Sequence, residues 1–146
     1  MLSITPKFAA TATLVLALFT LPATAKEVMQ GPILARVVDV YDGDTFTVEA
    51  NVWLGTKKTV KVRIVGIDTP EIRKPGCELE RQKALTAKKV LTTLLGTEIR
   101  LYGIKYGKYA GRVLARVVSA AGDVGERMIG LGHARAYFGG KRKGWC

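Results

Sequence analysis

Three stretches in the first half of the chain carry strand-like patterns. Ile33 to Tyr41 is rich in β-branched and apolar residues, Thr45 to Glu49 alternates, and Thr59 to Ile67 alternates apolar with cationic positions before becoming continuously apolar. A period of two marks a strand, and one that turns wholly apolar is entering a core. Asp42-Gly43 between the first two stretches is a strong hairpin signal, and Gly55-Thr56 introduces the third. From Glu78 the period changes. Ala84, Ala87, Leu91 and Leu94 recur at three or four residues, with Glu78 and Glu80 at the start and Gly96 at the stop, which predicts a helix of about four to five turns. Strand patterns return over Glu98 to Tyr102 and Arg112 to Ser119, joined by a Gly- and Lys-rich segment from Gly103 to Gly111. A short helix from Val124 to Leu131 and a tail from Gly132 to Cys146 complete the chain.

Three strands, a helix, two strands and a short helix describe a mainly β protein with helices (α+β) and a largely antiparallel sheet. A five-stranded OB-fold barrel with a helix inserted after strand 3 fits that order. Barrels of this kind commonly bind nucleic acids on one face, although fold alone does not establish function.

Composition sharpens this. The 146 residues suit one domain, and 48% apolar against 24% charged content separates the chain from segments that cannot collapse. With 23 Lys and Arg against 12 Asp and Glu, the net charge is +11, so a polyanion is the default partner. Residues 1–25 read as an export signal: Lys7 is the basic n-region, Phe8 to Leu21 the apolar stretch, and Pro22-Ala23-Thr24-Ala25 a small-residue cleavage site. That stretch falls short of the ~20 residues a bilayer span needs. Cleavage leaves 26–146 as the working domain, periplasmic or secreted, and removes only the charge of Lys7. No stable membrane partner is expected thereafter, and a small basic barrel can act as a monomer. An oxidising compartment favours a disulfide between Cys77 and Cys146, the two cysteines. Structural zinc is disfavoured, because two Cys and the single His133 fall short of four ligands. A Ser-His-Asp hydrolase lapses with them, there being no G-x-S-x-G turn.

Four of the 12 acids lie in two short segments, Asp42-Gly43-Asp44-Thr45 and Asp68-Thr69-Pro70-Glu71. Each could be a solvated turn or a chain cap. Taken together, Asp44 opening the second strand and Asp68 closing the third can reach one rim of a barrel. Carboxylates with a backbone carbonyl make a hard-oxygen site suited to Ca²⁺ ahead of Mg²⁺ or Mn²⁺. Glu71, just beyond, is placed to hold an attacking water. Arg63 and Arg112 supply guanidinium groups, which bind phosphate through paired hydrogen bonds.

With its D-G-D-T at Asp42 to Thr45, its R-x-x-x-x-D-T-P-E from Arg63 to Glu71 and a Y-x-G-R form of Y-G-R at Tyr109 to Arg112, the chain resembles the staphylococcal nuclease (thermonuclease) family from about Ile33 to about Tyr137. The resemblance implies an OB-fold barrel and Ca²⁺-dependent hydrolysis of DNA and RNA phosphodiesters. It also implies that Asp44, Asp68 and the Thr69 carbonyl ligate the metal, that Arg63 and Arg112 stabilise the transition state, and that Glu71 positions or deprotonates water. Lys108 and Tyr109 correspond to residues that contact a terminal phosphate of bound nucleotide. Tyr137 is a further candidate for stacking on unpaired bases, or else an amphipathic residue at the core's edge. Two departures stand out. Gly107 replaces the acid that usually precedes Lys-Tyr, and the chain ends at Trp145-Cys146 without the long C-terminal helix of the best-known member, a role a Cys77 to Cys146 clamp could take over. The rivals are a non-catalytic nucleic-acid-binding OB barrel and a membrane-surface or acidic-protein binder using Lys141-Arg142-Lys143, a run short enough to be plain solvated surface.

Overall fold

A computed structural model describes residues 26–146, so the expected export signal at 1–25 lies outside the described residues. The elements in order are β1 (Val28–Met29), β2 (Ile33–Val40), β3 (Thr45–Trp53), β4 (Thr56–Ile64), β5 (Ile67–Asp68), α1 (Glu78–Leu95), β6 (Glu98–Tyr106), β7 (Arg112–Ser119), β8 (Gly122–Asp123), α2 (Val124–Gly130) and β9 (Arg135–Ala136). Five of these strands close a barrel in the order β6-β2-β3-β4-β7, with β7 pairing back onto β6. That is the expected five-stranded barrel with a helix after its third strand. Every pairing in the barrel is antiparallel except β4 with β7. A parallel pair needs a long crossover, and the segment containing α1 and β6 supplies it.

Alternation decides what fills the barrel. Phe46 and Val48 from β3, Val62 and Ile64 from β4, Leu101 from β6 and Val117 from β7 are fully buried. One face of α1 closes the barrel with Ala87, Leu91 and Leu95, with half-buried Leu94 packed against them, while Ala84 is buried outside that cluster. Burying each large aliphatic side chain is worth about 1.5–3 kcal/mol, so this contact fixes where the start of α1 lies relative to the rim.

Several boundaries differ from the sequence pattern. β3 runs on to Trp53 and not just to Glu49, β4 begins at Thr56 rather than Thr59, and β6 continues to Tyr106 into the Gly- and Lys-rich segment. The two-residue strands β1, β8 and β9 are additional. Two further differences bear on the site. The third strand stops at Ile64, because Gly66 takes φ +82° and turns the chain, so Ile67 and Asp68 form the separate strand β5. Its partner is β9, with Ile67 opposite Ala136 and Asp68 opposite Arg135. Asp68 therefore stands beyond a turn rather than at the end of the third strand. Asp42-Gly43 likewise lies in a four-residue loop and is not a two-residue mirror-image turn, since Gly43 is not among the glycines with positive φ. The side chain of Asp42 shapes that loop: its Oδ1 accepts the N–H groups of Asp44 at 3.0 Å and Thr45 at 2.8 Å.

The tail from Gly132 returns across the start of α1. Cys146 is bonded to Cys77, as expected, and Cys77 is also the N-cap of α1. In the chain-entropy model a loop of this size stabilises by about 4 kcal/mol.

Candidate active site

The rim is assembled from three loops and the edge of β4. Asp44 ends the loop that Asp42 shapes, and Gly43 packs so closely there that a Cβ on it would meet Ala87 Cβ at 2.9 Å and Thr69 Cβ at 3.0 Å. This glycine therefore lets the Asp44 loop rest on both α1 and Thr69. Across the barrel ladder Thr45 is registered with Arg63, and the main chain of Ile64 donates to the Asp44 carbonyl at 2.9 Å.

Asp44 and Arg63 form a buried ion pair, Oδ2 to Nη2 at 2.8 Å. The pair is ionic rather than a directed hydrogen bond, and Nη2 has no hydrogen-bond partner. Asp44 Oδ1 accepts the Thr45 hydroxyl at 2.7 Å, and Arg63 Nη1 donates to the Ile67 carbonyl at 3.3 Å. Burial raises the Asp44 pKa from 3.8 to about 6; the Asp42 charge adds to the rise, outweighing the opposing pull of Arg63 and Thr45.

Asp68 is 5% exposed and its oxygens meet two residues of the tail. Trp145 donates its indole N–H to Oδ2 at 3.3 Å, and Arg142 Nε lies 3.1 Å from Oδ1. The second contact is again ionic, so buried Oδ1 keeps an unused lone pair. Thr69 follows, also buried.

Glu71 sits on the loop between β5 and α1, its side chain 47% exposed. Buried Glu80 on α1 staples this loop: Oε1 accepts the Glu71 N–H at 3.1 Å and Oε2 the Gly76 N–H at 2.6 Å. The Glu71 carboxylate accepts a hydrogen bond from Arg142 Nη1 at 2.8 Å. Arg142 consequently touches both Asp68 and Glu71. Burial opposes its charge, but Asp68, Glu71 and Asp44 prevail and raise its pKa.

Arg112 begins β7. In the parallel β4–β7 ladder it is registered with Lys61, and Leu114 with Arg63, so alternation puts Arg63 and Arg112 on the same outer face of adjacent strands. Its guanidinium lies 4.8 Å from the ring centre of Tyr109, and its buried Nε has no partner. Among the described residues it makes no ion pair with the acids of the rim. Lys108 and Tyr109 occupy the exposed turn between β6 and β7, with Lys108 Nζ 5.9 Å from the Tyr109 ring centre. Tyr137 is tied down at both ends, its N–H on the Gly66 carbonyl and its hydroxyl on the Gly140 carbonyl, both at 2.8 Å. Arg142 covers the Tyr137 ring at 5.7 Å.

Asp44 and Asp68 are buried carboxylates, and with Gly43 packed against Thr69 the Asp44 loop rests beside the residue that follows Asp68. Asp44, Asp68 and the Thr69 main chain are therefore the oxygen groups here that could hold a hard divalent cation. The buried Asp68 Oδ1, which accepts no hydrogen bond, and the buried Asp44 carboxylate fit such an ion. Among the described residues no three His, Cys, Asp or Glu side chains converge as ligands.

Arg142, Trp145 and Glu80 were not legible in the sequence as parts of this rim. For Arg142 there was an indirect signal: a Cys77 to Cys146 bond brings residue 146 within six positions of Glu71 along the chain, so the basic run before it must pass nearby.

The chain is a closed five-stranded OB-type barrel with buried Asp44, Asp68 and Arg63 at one rim. The family described as Staphylococcal nuclease homologue matches residues 61–144, more than half of the chain, and the protein belongs to that family of nucleases. The match takes in Arg63, Asp68, Thr69, Glu71 and Arg112, and Asp44 lies before it. No match is found among curated proteins.

Proposed function

We propose that the protein is an exported, monomeric, Ca²⁺-dependent endonuclease that hydrolyses phosphodiester bonds of DNA and RNA by in-line attack of water. The observation that carries this reading is the buried Asp44–Arg63 pair on the same rim as buried Asp68, in a chain of the nuclease family. Asp44, Asp68 and the Thr69 carbonyl would hold the ion. When bound, Ca²⁺ supplies Lewis-acid polarisation of the scissile phosphoryl group. Arg63 and Arg112 bind the phosphoryl oxygens, where charge grows in the transition state. Glu71, exposed at the mouth, orients the attacking water or takes its proton. Lys108 and Tyr109 contact an end phosphate, and Tyr137 lines the approach for an unpaired base.

Substrate arrives through charge. Lys61 and Arg73 flank the Tyr41 ring at 5.2 and 5.1 Å beside the Asp44 loop, a basic and aromatic surface suited to a nucleic-acid strand. Among the described residues no helix is long and apolar enough to cross a membrane. Residues 1–25 would serve as the export signal, removed after Ala25, on the strength of their sequence pattern.

The deciding experiment incubates protein beginning at Lys26 with single- and double-stranded DNA and RNA, with Ca²⁺ and with chelator. Chelator-sensitive cleavage is expected. Salt-sensitive binding with no cleavage of any substrate would instead identify a non-catalytic nucleic-acid-binding barrel.

A pH dependence follows from Asp44. Its folded pKa, raised to about 6, means that the folded state holds the proton more tightly than the unfolded chain between about pH 4 and 6. For this group the ion-free protein loses stability as pH rises through that window. Ca²⁺ competes with the same proton, so its effect has the opposite trend. The gain in thermal midpoint on adding saturating Ca²⁺ is expected to be larger at pH 7 than at pH 5 by roughly 4 °C or more. Equal gains at the two values would remove Asp44 from the ligand set.

A further inference from the structure

The acids of the rim already have a cation beside them, contributed by the chain's own tail. Four contacts away from the rim acids pin that tail. Cys146 is bonded to Cys77 with the Cα atoms 5.9 Å apart, and Trp145 is 7% exposed beneath the Arg135 guanidinium, which lies 3.7 Å from its ring centre. The Trp145 carbonyl accepts from Lys83 Nζ and the Gly144 carbonyl from Arg135 Nη1, both at 2.9 Å. Arg142 is different. Its side chain is 44% exposed, and the groups that hold its guanidinium are Asp68, Glu71 and the face of Tyr137.

We propose that Arg142 is a positioning residue of the nuclease site, delivered by the disulfide-anchored tail, that holds Glu71 in place and competes with the divalent cation for Asp68. The inference rests on the nuclease reading above. Its geometry has two arms. Nη1 donates to Glu71 Oε1 at 2.8 Å, which fixes an otherwise exposed carboxylate on a loop. Nε faces Asp68 Oδ1 at 3.1 Å, a buried oxygen that accepts no hydrogen bond, so the guanidinium stands beside the oxygen that an incoming ion would use. A unit positive charge there repels a divalent cation, and the half-exposed setting moderates the effect without abolishing it. Trp145 holds the other Asp68 oxygen, so the tail orients the carboxylate while Arg142 tunes what it can bind.

The two arms predict opposite changes. In Arg142→Ala, Ca²⁺ affinity measured by calorimetry is expected to rise about three- to tenfold as the competing charge is lost. Turnover at saturating Ca²⁺ is expected to fall about ten- to a hundredfold as Glu71 is released. Arg142→Lys keeps the charge and loses the two-armed bridge, so its Ca²⁺ affinity should stay within about twofold of the parent while turnover still falls. Cys146→Ser loosens the tail and should shift both quantities in the same directions as Arg142→Ala, by smaller factors. A residue that only braced the fold would weaken ion binding and turnover together. Arg142→Ala binding Ca²⁺ no more tightly than the parent, or turning over at the parent's rate, overturns the proposal, and an unchanged Cys146→Ser overturns the tail's part in it. A parent protein that neither binds Ca²⁺ nor cleaves would overturn the nuclease reading itself, a separate failure visible before any variant is made.

Discussion

Arg63→Lys is expected to lower turnover of DNA by about 10²–10³ at saturating Ca²⁺ while leaving the barrel folded. Lysine keeps the positive charge and can still pair with Asp44. What it loses is the planar fork. Arg63 places Nη2 at 2.8 Å from Asp44 Oδ2 and Nη1 at 3.3 Å from the Ile67 carbonyl, two anchors that set the plane of the guanidinium at the rim. A single ammonium can occupy only one of those directions, and cannot present two parallel donors to a phosphoryl group whose oxygens gain charge together. The loss should therefore fall on turnover rather than on Ca²⁺ affinity. Initial rates across a Ca²⁺ titration, with thermal unfolding as the control for folding, provide the check. Near-parental turnover in a folded variant would remove Arg63 from the chemistry.

Asp68→Asn is expected to act on the other half of the site. An amide keeps the shape of the carboxylate and can still accept the Trp145 indole N–H, so the tail should stay docked. One of the two buried ligand charges is gone, however, and Ca²⁺ affinity in all-oxygen sites depends on the count of charged ligands. A fall of about 10² in affinity is expected, with cleavage at the parent's working Ca²⁺ concentration falling in step and partly returning at high Ca²⁺. Calorimetric titration of the ion, run beside cleavage assays, measures both. Unchanged ion affinity would place the cation elsewhere. Arg63→Lys should spare ion binding and lose turnover, whereas Asp68→Asn should lose ion binding first, so the pair separates holding the ion from stabilising the phosphoryl charge.

Much of this site was legible in the sequence because its acids are exceptions on a basic chain. Asp44, Asp68, Glu71 and Arg63 fall in two short runs, and adjacent strand ends bring such runs together in any barrel with this strand order. Arg112 was legible as a type of residue and less so as a position. Its strand register places it on the outer face beside β4, yet the guanidinium rests over Tyr109 and no acid of the rim touches it. Glu80 read as an ordinary helix-start acid; only the folded loop shows both its oxygens holding main-chain N–H groups at Glu71 and Gly76. Arg142 read as part of a solvated basic run, because nothing in a local pattern reports a contact 71 positions away.

By itself the amino-acid order determined the five barrel strands and two helices, their sequence and the residue types of the rim, since alternation, helical spacing and carboxylate runs are short-range signals. It also determined which two cysteines could pair. Tertiary structure alone decided the turn at Gly66 that gives Asp68 its own strand, the burial that raises Asp44 to about 6, and the return of the tail that sets Trp145 and Arg142 against Asp68. Burial and long-range pairing depend on what other segments cover a residue, and that is settled only once the whole chain has packed.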